Sequence, residues 1–294
     1  MLENFKTNYF YSTQGFRILY HTNFKSSDLL NDDRVLVFNY GLVCSNSHWE
    51  KQIPFFHALG YKILLHDYRF HFSSSSSDSI DDCNFKGIIN DLHDLMNELK
   101  ISNSIMIGHS MGVNITLEYA YRYPERVDSM ILISGTVLPP QDIMFDTNTM
   151  ELITPYIEWF SNTYPKIHEK LWTTSYLNPV IRFMVRKGGF NMEKVPDEFI
   201  QIYMKRIGEL SPDIFLKLLN EMKEHDIAGR LSAIKVKALV IGGDKDQVIP
   251  NYLQDILIDR LENSELYIVK DGSHVPQADF PESINQRIFQ FIEK

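Results

Sequence analysis

The stretch Ser104-Ile-Met-Ile-Gly-His-Ser-Met-Gly-Val113 decides how this chain of 294 residues folds. It contains a Gly-x-Ser-x-Gly pentapeptide from Gly108 to Gly112. The apolar run before the pentapeptide predicts a short buried strand, and the residues after it have the spacing of a helix that ends near Pro124. A strand, a sharp turn and a helix in this order are typical of a nucleophile elbow. We therefore predict that Ser110 is an exposed, activated nucleophile at the top of a sheet.

An ordinary strand-to-helix turn would explain the same pentapeptide. In that alternative Ser110 caps the helix through its hydroxyl, and the two glycines serve only the turn. In an elbow the glycines have a stricter role, because side chains two residues before and after the serine would collide. The helix N-terminus beside the serine would also favour developing negative charge. The rest of the chain distinguishes the two interpretations.

Short apolar strands alternate with helical segments on both sides of this stretch. A hairpin is predicted near the N-terminus, where two alternating segments flank Gln14-Gly15. Buried strands that alternate with helices indicate a mostly parallel sheet covered by helices on both faces. The fold class is therefore α/β, and the strands of its parallel part are predicted at Val35–Phe38, Tyr61–Leu65, Ile105–Ile107, Val127–Ser134, Ala238–Ile241 and Glu265–Val269.

Residues 136–226 interrupt this alternation. No strand pattern is visible there, Met and aromatic residues recur at helical spacing, and prolines break the segment into short helices. We expect an all-helical cap (136–226) inserted into an α/β core domain formed by residues 1–135 and 227–294. The Lys187-Gly-Gly-Phe190 stretch is predicted to be a loop or hinge. Most apolar side chains of the cap should form its own core, and a minority should line a cleft.

The composition and net charge limit the classes of molecule that the protein is expected to bind. The formal net charge of −9 argues against binding to nucleic acid or to an anionic membrane surface. Two cysteines, Cys44 and Cys83, cannot form a disulfide framework or a Cys-rich zinc site, and their low number fits a reducing cytosol. No signal peptide or membrane-spanning segment is visible. We expect a soluble, cytoplasmic protein.

Three predicted loops carry side chains that could act together. Ser110, Asp246 and His274 each follow a predicted strand, and the carboxyl ends of parallel strands meet at one edge of a sheet. A histidine can remove the proton of a serine hydroxyl during attack, and a carboxylate can orient and stabilise that histidine. Asp244 is the nearest alternative acid, and Asp246 or His274 alone could be a loop cap or a surface residue.

The order Ser, Asp, His and its spacing resemble the α/β-hydrolase superfamily, in particular its serine esterase and lipase branch with a helical cap. The motifs that carry the resemblance are Gly108-His-Ser-Met-Gly112, Gly243-Asp-Lys-Asp-Gln-Val-Ile-Pro250, Gly272-Ser-His-Val-Pro276 and, after the elbow helix, Tyr123-Pro-Glu-Arg-Val127. The resemblance covers nearly the whole chain. It implies that Ser110 is the nucleophile, His274 the general base and Asp246 the acid that orients the base.

The resemblance also implies an oxyanion hole of two backbone N–H groups. One belongs to Met111, after the nucleophile, and the other to Leu42, in the loop after the first parallel strand. Related enzymes often have His-Gly in that loop, whereas this chain has Tyr40-Gly41. We expect the Tyr40 hydroxyl to face the substrate. Further candidates for the substrate pocket are His109, Val248 and Val275.

A second departure from the family pattern lies at Asp67-Tyr-Arg-Phe-His-Phe-Ser73. The family commonly has glycines where this chain has Phe70 and Phe72. We expect the two rings to fill space beside the elbow; the alternative is a reshaped loop on the oxyanion side.

The expected reaction is acyl transfer to Ser110 from a small-molecule carboxylic ester, lactone or thioester with an apolar acyl or aromatic group. No metal and no cofactor are expected, because no metal cluster, Walker loop or dinucleotide fingerprint is visible. A serine nucleophile also excludes the family branches that require Asp or Cys at this position. Two alternatives stay open: hydrolysis of a C–C bond in a β-diketone, and a receptor or scaffold on the same fold with little turnover.

Overall fold

The computed structural model describes residues 4–30, 32–42, 44–139, 155–156 and 159–294. Within these ranges eight strands form one sheet in the order β1-β2-β4-β3-β5-β6-β7-β8. β1 and β2 form an antiparallel hairpin, β2 runs antiparallel to β4, and all other neighbours are parallel. The strands are β1 (Lys6–Tyr11), β2 (Arg17–Thr22), β3 (Arg34–Asn39), β4 (Ile63–His66), β5 (Asn103–His109), β6 (Val127–Ile133), β7 (Lys237–Gly243) and β8 (Ser264–Val269).

Helices cover both faces of the sheet, which confirms the predicted fold class. Alternate residues of β5 show the two layers: Met106 belongs to one hydrophobic cluster, and Ile105 and Ile107 belong to another. The helices whose full length lies in the described ranges are α1 (Gln52–Ala58), α2 (Phe85–Glu98), α3 (Met111–Arg122), α4 (Pro165–Thr173), α5 (Pro179–Gly189), α6 (Asp197–Gly208), α7 (Pro212–Glu224), α8 (Tyr252–Arg260), α9 (Pro276–Asp279) and α10 (Pro281–Ile292).

Helices α4 to α7 lie between β6 and β7, within the segment predicted to be helical. Residues 140–154 and 157–158 of that segment lie outside the described residues, and the rest of it contains no strand. The predicted loop at Lys187–Phe190 is wrong, because α5 continues through both glycines to Gly189. The division into a core domain and a cap remains a prediction.

Candidate active site

Ser110 occupies a sharp turn between the end of β5 and the start of α3. Its backbone has φ 53° and ψ −121°, a conformation that residues other than glycine rarely adopt. The side chain of Ser110 makes no capping hydrogen bond to α3, so the N-cap alternative is not observed. The turn instead leaves the hydroxyl in a cavity above the sheet.

Both glycines of the pentapeptide are required by close contacts of the backbone. A Cβ atom added to Gly108 would lie 2.5 Å from the carbonyl oxygen of Gly112. A Cβ atom added to Gly112 would lie 2.1 Å from the carbonyl oxygen of Asn39, in β3. These contacts press the turn against β3 and hold Ser110 at the carboxyl edge of the sheet.

Asp246 and His274 meet above the carboxyl ends of β7 and β8. Nδ1 of His274 lies 2.9 Å from Oδ2 of Asp246, and Oδ1 of Asp246 accepts the backbone N–H groups of Val248 and Ile249 at 2.9 and 2.8 Å. A carboxylate oxygen accepts hydrogen bonds, so Nδ1 of His274 is the donor in this pair, and Nε2 is the other nitrogen of the ring. The alternative acid, Asp244, is exposed on the surface.

His109 links the elbow to the loop that carries His274. Its Nε2 lies 2.9 Å from the carbonyl oxygen of His274, and its ring stacks on His48 with 4.4 Å between the ring centroids. Burial lowers the pKa of His109 well below its ordinary value and lowers that of His48 to about 3. Both rings therefore stay neutral, and the carbonyl oxygen accepts a hydrogen bond from His109.

The predicted oxyanion donors lie beside Ser110. A Cβ atom added to Gly41 would lie 3.1 Å from Cβ of Ser110, and the next residue, Leu42, lines the same cavity as Ser110. Met111 is the first residue of α3, where helical N–H groups have no partner in a preceding turn. This arrangement is compatible with a pair of donors for an oxyanion.

Tyr40 has a role other than the expected one. Its side chain is fully buried, and its hydroxyl accepts the backbone N–H of Tyr68 at 2.9 Å. The Tyr68 hydroxyl in turn donates to the carbonyl oxygen of Tyr40, also at 2.9 Å. Tyr40 is not among the described residues that line the cavity. The ring therefore braces the loop after β3 against the loop after β4 instead of contacting substrate.

Phe70 and Phe72 keep the backbone conformation that favours glycine. Their φ angles are 65° and 46°, and Phe70 is almost fully buried against Phe16. Burial of the Phe70 ring and partial burial of the Phe72 ring therefore offset local backbone strain. The expectation that the rings fill space fits this packing.

Ser110 and His274 open into a cavity of about 570 Å³. Val248, Val275 and His109, the predicted pocket residues, lie in its wall, and the larger part of the wall comes from α4 to α7. No Asp, Glu, Lys or Arg occurs among the described lining residues. The sequence showed that this region is rich in Met and aromatic residues, but not which side chains face the cavity. Those that do include Cys44, Trp172, Tyr203, Met204, Ile207 and Phe215.

The described part of the chain holds no group of three or more His, Cys, Asp or Glu side chains placed to bind a metal ion. No helix there is both long and apolar enough to cross a bilayer. Both cysteines are buried and free.

Known proteins resemble this chain over most of its length. Residues 34–281 match the family model described as alpha/beta hydrolase fold. A protein provisionally named carbamate hydrolase RutD, from Caulobacter sp. (strain K31), is 24% identical over 264 residues, which cover 89% of this chain and 91% of that protein. The 2-hydroxy-6-oxononadienedioate/2-hydroxy-6-oxononatrienedioate hydrolase of Escherichia coli is 24% identical over 244 residues, which cover 80% of this chain and 77% of the enzyme.

Solved structures show the same fold. An esterase from Exiguobacterium antarcticum superposes with a TM-score of 0.78 at 17% sequence identity, covering 98% of this chain and all of the esterase. Because the family model spans most of the chain and the sheet has the matching topology, this protein belongs to the α/β-hydrolase fold family.

Proposed function

We propose that this protein is a serine hydrolase that cleaves a carboxylic ester, lactone or thioester with a neutral, apolar acyl or aromatic group. The observation that carries the proposal is that His274, paired with Asp246 at 2.9 Å, lines the same cavity as the strained Ser110. The same arrangement supports the residue roles predicted from the sequence.

In the proposed mechanism Oγ of Ser110 attacks the carbonyl carbon and transfers its proton to Nε2 of His274. The carbonyl oxygen becomes an oxyanion that accepts the N–H groups of Leu42 and Met111. His274 then protonates the leaving alcohol or thiol, which departs and leaves an acyl-serine ester. A water molecule, deprotonated by His274, attacks this ester, and the proton returns to Oγ as the carboxylic acid is released.

The cavity wall supports a neutral acyl group. A carboxylate or phosphate buried against this wall would find no cationic side chain among the described lining residues, and an uncompensated buried charge is costly. Apolar atoms of the substrate would instead contact side chains such as Trp172, Met204 and Phe215. A volume of about 570 Å³ lies within the usual range for small-molecule sites.

Hydrolysis of a C–C bond beside a ketone is the second candidate, because the E. coli relative is named a hydrolase of an oxo-dioate, which contains a ketone and is not an ester. Such a substrate carries two carboxylates, and the described cavity wall offers no cation to receive either of them. The ester proposal therefore fits the lining better.

Labelling with a fluorophosphonate tests the activated serine directly. We expect one adduct, located on Ser110 by peptide mass spectrometry, and loss of that adduct in Ser110→Ala and His274→Ala. The matched control is Ser175→Ala, which removes another serine from the cavity wall and should label like the wild type. A folded protein that forms no adduct would support the receptor or scaffold alternative.

A matched pair of substrates tests the preference for a neutral acyl group. The p-nitrophenyl esters of butyric acid and of succinic acid have acyl chains of similar length, and only the second carries a terminal carboxylate. We expect kcat/KM to be roughly a hundredfold higher for the neutral ester, because the charged chain would be buried without a partner. Equal values would contradict the apolar site, and faster cleavage of a β-diketone than of either ester would favour the C–C alternative.

A further inference from the structure

Exposed apolar side chains are concentrated on one part of the chain. Of the 21 large hydrophobic residues that are exposed in the described ranges, 12 lie between residues 156 and 202. Single exposed hydrophobic residues are common on soluble proteins, but a cluster of this kind marks an interaction surface. The members on α4, α5 and the turn between them are Ile167, Leu171, Leu177, Val180, Ile181, Phe183 and Met184.

The outer side of α5 shows the cluster most clearly. Val180, Phe183 and Met184 are 63%, 56% and 66% exposed, and their spacing places them on one side of the helix together with Lys187. On α4, Ile167 and Leu171 are four residues apart and are 54% and 57% exposed. We call these two helix surfaces the α4–α5 face.

The charge of these helices is opposite to that of the whole chain. Residues 165–189 contain five Lys or Arg residues and one Glu, whereas the chain has a net charge of −9. Arg186 pairs with Asp197. The other four cations, Lys166, Lys170, Arg182 and Lys187, have no ion pair among the residues that the structure describes. An expectation based on total charge therefore overlooks a local cationic surface.

The α4–α5 face continues into the cavity that holds Ser110. Leu171 from α4 and Ile181 and Met184 from α5 are exposed to solvent and also line the cavity. An apolar molecule held at this face would therefore lie beside the entrance to the candidate active site.

We propose that the α4–α5 face binds the surface of an anionic phospholipid bilayer. Apolar side chains with Lys and Arg beside them on a helix insert at the boundary between headgroups and acyl chains, and the cations attract anionic headgroups. The protein lies on the membrane without crossing it. This proposal goes beyond the hydrolytic function and does not depend on it, because lipid binding requires neither Ser110 nor His274.

Vesicle flotation tests the proposal with the full chain carrying Ser110→Ala, so that no lipid is hydrolysed. We expect the protein to float with phosphatidylcholine vesicles that contain phosphatidylglycerol, and much less with pure phosphatidylcholine. High salt should weaken the binding, because it screens the cations.

Two variants separate the apolar from the electrostatic contribution. Val180→Ser with Phe183→Ser should reduce the partition coefficient by roughly tenfold or more, because it removes apolar area from the inserted surface. Lys166→Gln with Lys170→Gln should reduce it by about fivefold for each lysine. The matched controls are Tyr11→Ser with Leu30→Ser and Lys6→Gln with Lys86→Gln, which make the same kinds of change on other exposed parts of the chain.

Circular dichroism and the unfolding midpoint must show that each variant is folded. The proposal is overturned if the protein does not float with anionic vesicles, or if the Val180 and Phe183 variant floats as well as its control. It is also overturned if the α4–α5 face joins two copies of the chain. Gel filtration would then show a dimer that is dissociated by the Val180 and Phe183 substitutions and not by the control substitutions.

Discussion

Nε2 of His109 donates a hydrogen bond to the backbone carbonyl oxygen of His274, at 2.9 Å. His109 precedes the candidate nucleophile directly in sequence, whereas His274 lies 164 residues after Ser110 (274 − 110). The bond therefore fixes the loop of the proposed base relative to the turn of the proposed nucleophile. His48 supports this contact from the other side of the His109 ring.

His109→Leu should lower kcat by roughly 10- to 100-fold with little change in KM, because the His274 loop loses its anchor and the base is misplaced. His109→Gln, whose amide nitrogen lies near the position of Nε2, should restore part of the loss. Steady-state kinetics on a chromogenic ester and the urea midpoint measure both effects. If the two variants lose activity equally while both remain folded, the hydrogen bond does not position the base.

Asp246→Asn should lower kcat by about 10⁴-fold, because an amide cannot hold the His274 ring in the tautomer that leaves Nε2 unprotonated. The matched control is Asp244→Asn, which makes the same change two residues earlier at an exposed position. If kcat of the Asp246 variant equals that of the wild type, Asp246 does not orient His274. A large loss of kcat in the Asp244 control would assign that role to Asp244.

Asp67 should make the protein less stable as the pH rises towards neutrality. Burial raises the pKa of this carboxyl group to about 7 from its ordinary value of 3.8, although Arg206 and Asn46 favour the charged form. Between those two values the folded state binds more protons than the unfolded state, so the free energy of unfolding falls as the pH rises through that window.

Asp67→Asn should remove this decrease, because the amide stays neutral at every pH. The free energy of unfolding should be measured with urea between about pH 4 and pH 8. The difference between the variant and the wild type should shift in favour of the variant as the pH rises. Asp255→Asn, at an exposed position on α8, is the control. Parallel curves for Asp67→Asn and the wild type would show that the pKa of Asp67 is the same in the folded and unfolded states, so that burial does not raise it.

Gly108→Ala should prevent the elbow from forming, because the new Cβ atom would lie 2.5 Å from the carbonyl oxygen of Gly112. The main chain must shift, and we expect a loss of a few kcal/mol of stability together with all esterase activity. Gly229→Ala is the control, since its nearest contact would be an ordinary 3.7 Å from Asp226. Thermal unfolding and fluorophosphonate labelling measure the outcome, and a stable, labelled Gly108 variant would contradict the tight turn.

Asn114 should stabilise the connection between α3 and the helices that follow β6. Its Nδ2 donates to the carbonyl oxygen of Thr136 at 3.0 Å and lies 3.3 Å from Nδ1 of His225, at the end of α7. Asn114→Ala leaves that buried carbonyl oxygen without its donor, which should cost about 1–3 kcal/mol of unfolding free energy. Urea denaturation checks the value, and an unchanged midpoint would mean that another group replaces the amide.

Local sequence patterns were sufficient to predict the sheet and the positions of the candidate catalytic residues along it. The apolar strands, the Gly-x-Ser-x-Gly turn and the positions of Asp246 and His274 after strands depend on short stretches whose conformation is determined by neighbours in sequence. Parallel strands place their carboxyl ends at one edge, so the meeting of these residues followed from the predicted topology. The expectation that the Tyr40 hydroxyl faces the substrate does not fit the structure, because its hydrogen-bond partner Tyr68 becomes a neighbour only when β3 and β4 pair.

Contacts between segments that are distant in sequence determine the cavity wall and the surface formed by α4 and α5. The cavity wall depends on how α4 to α7 pack over the sheet, and helical periodicity does not distinguish side chains that face the cavity from those that form the core or face solvent. The local cationic surface on α4 and α5 was likewise hidden in a total charge of −9. Charge and apolar area act through their placement in space, which is a property of the tertiary structure.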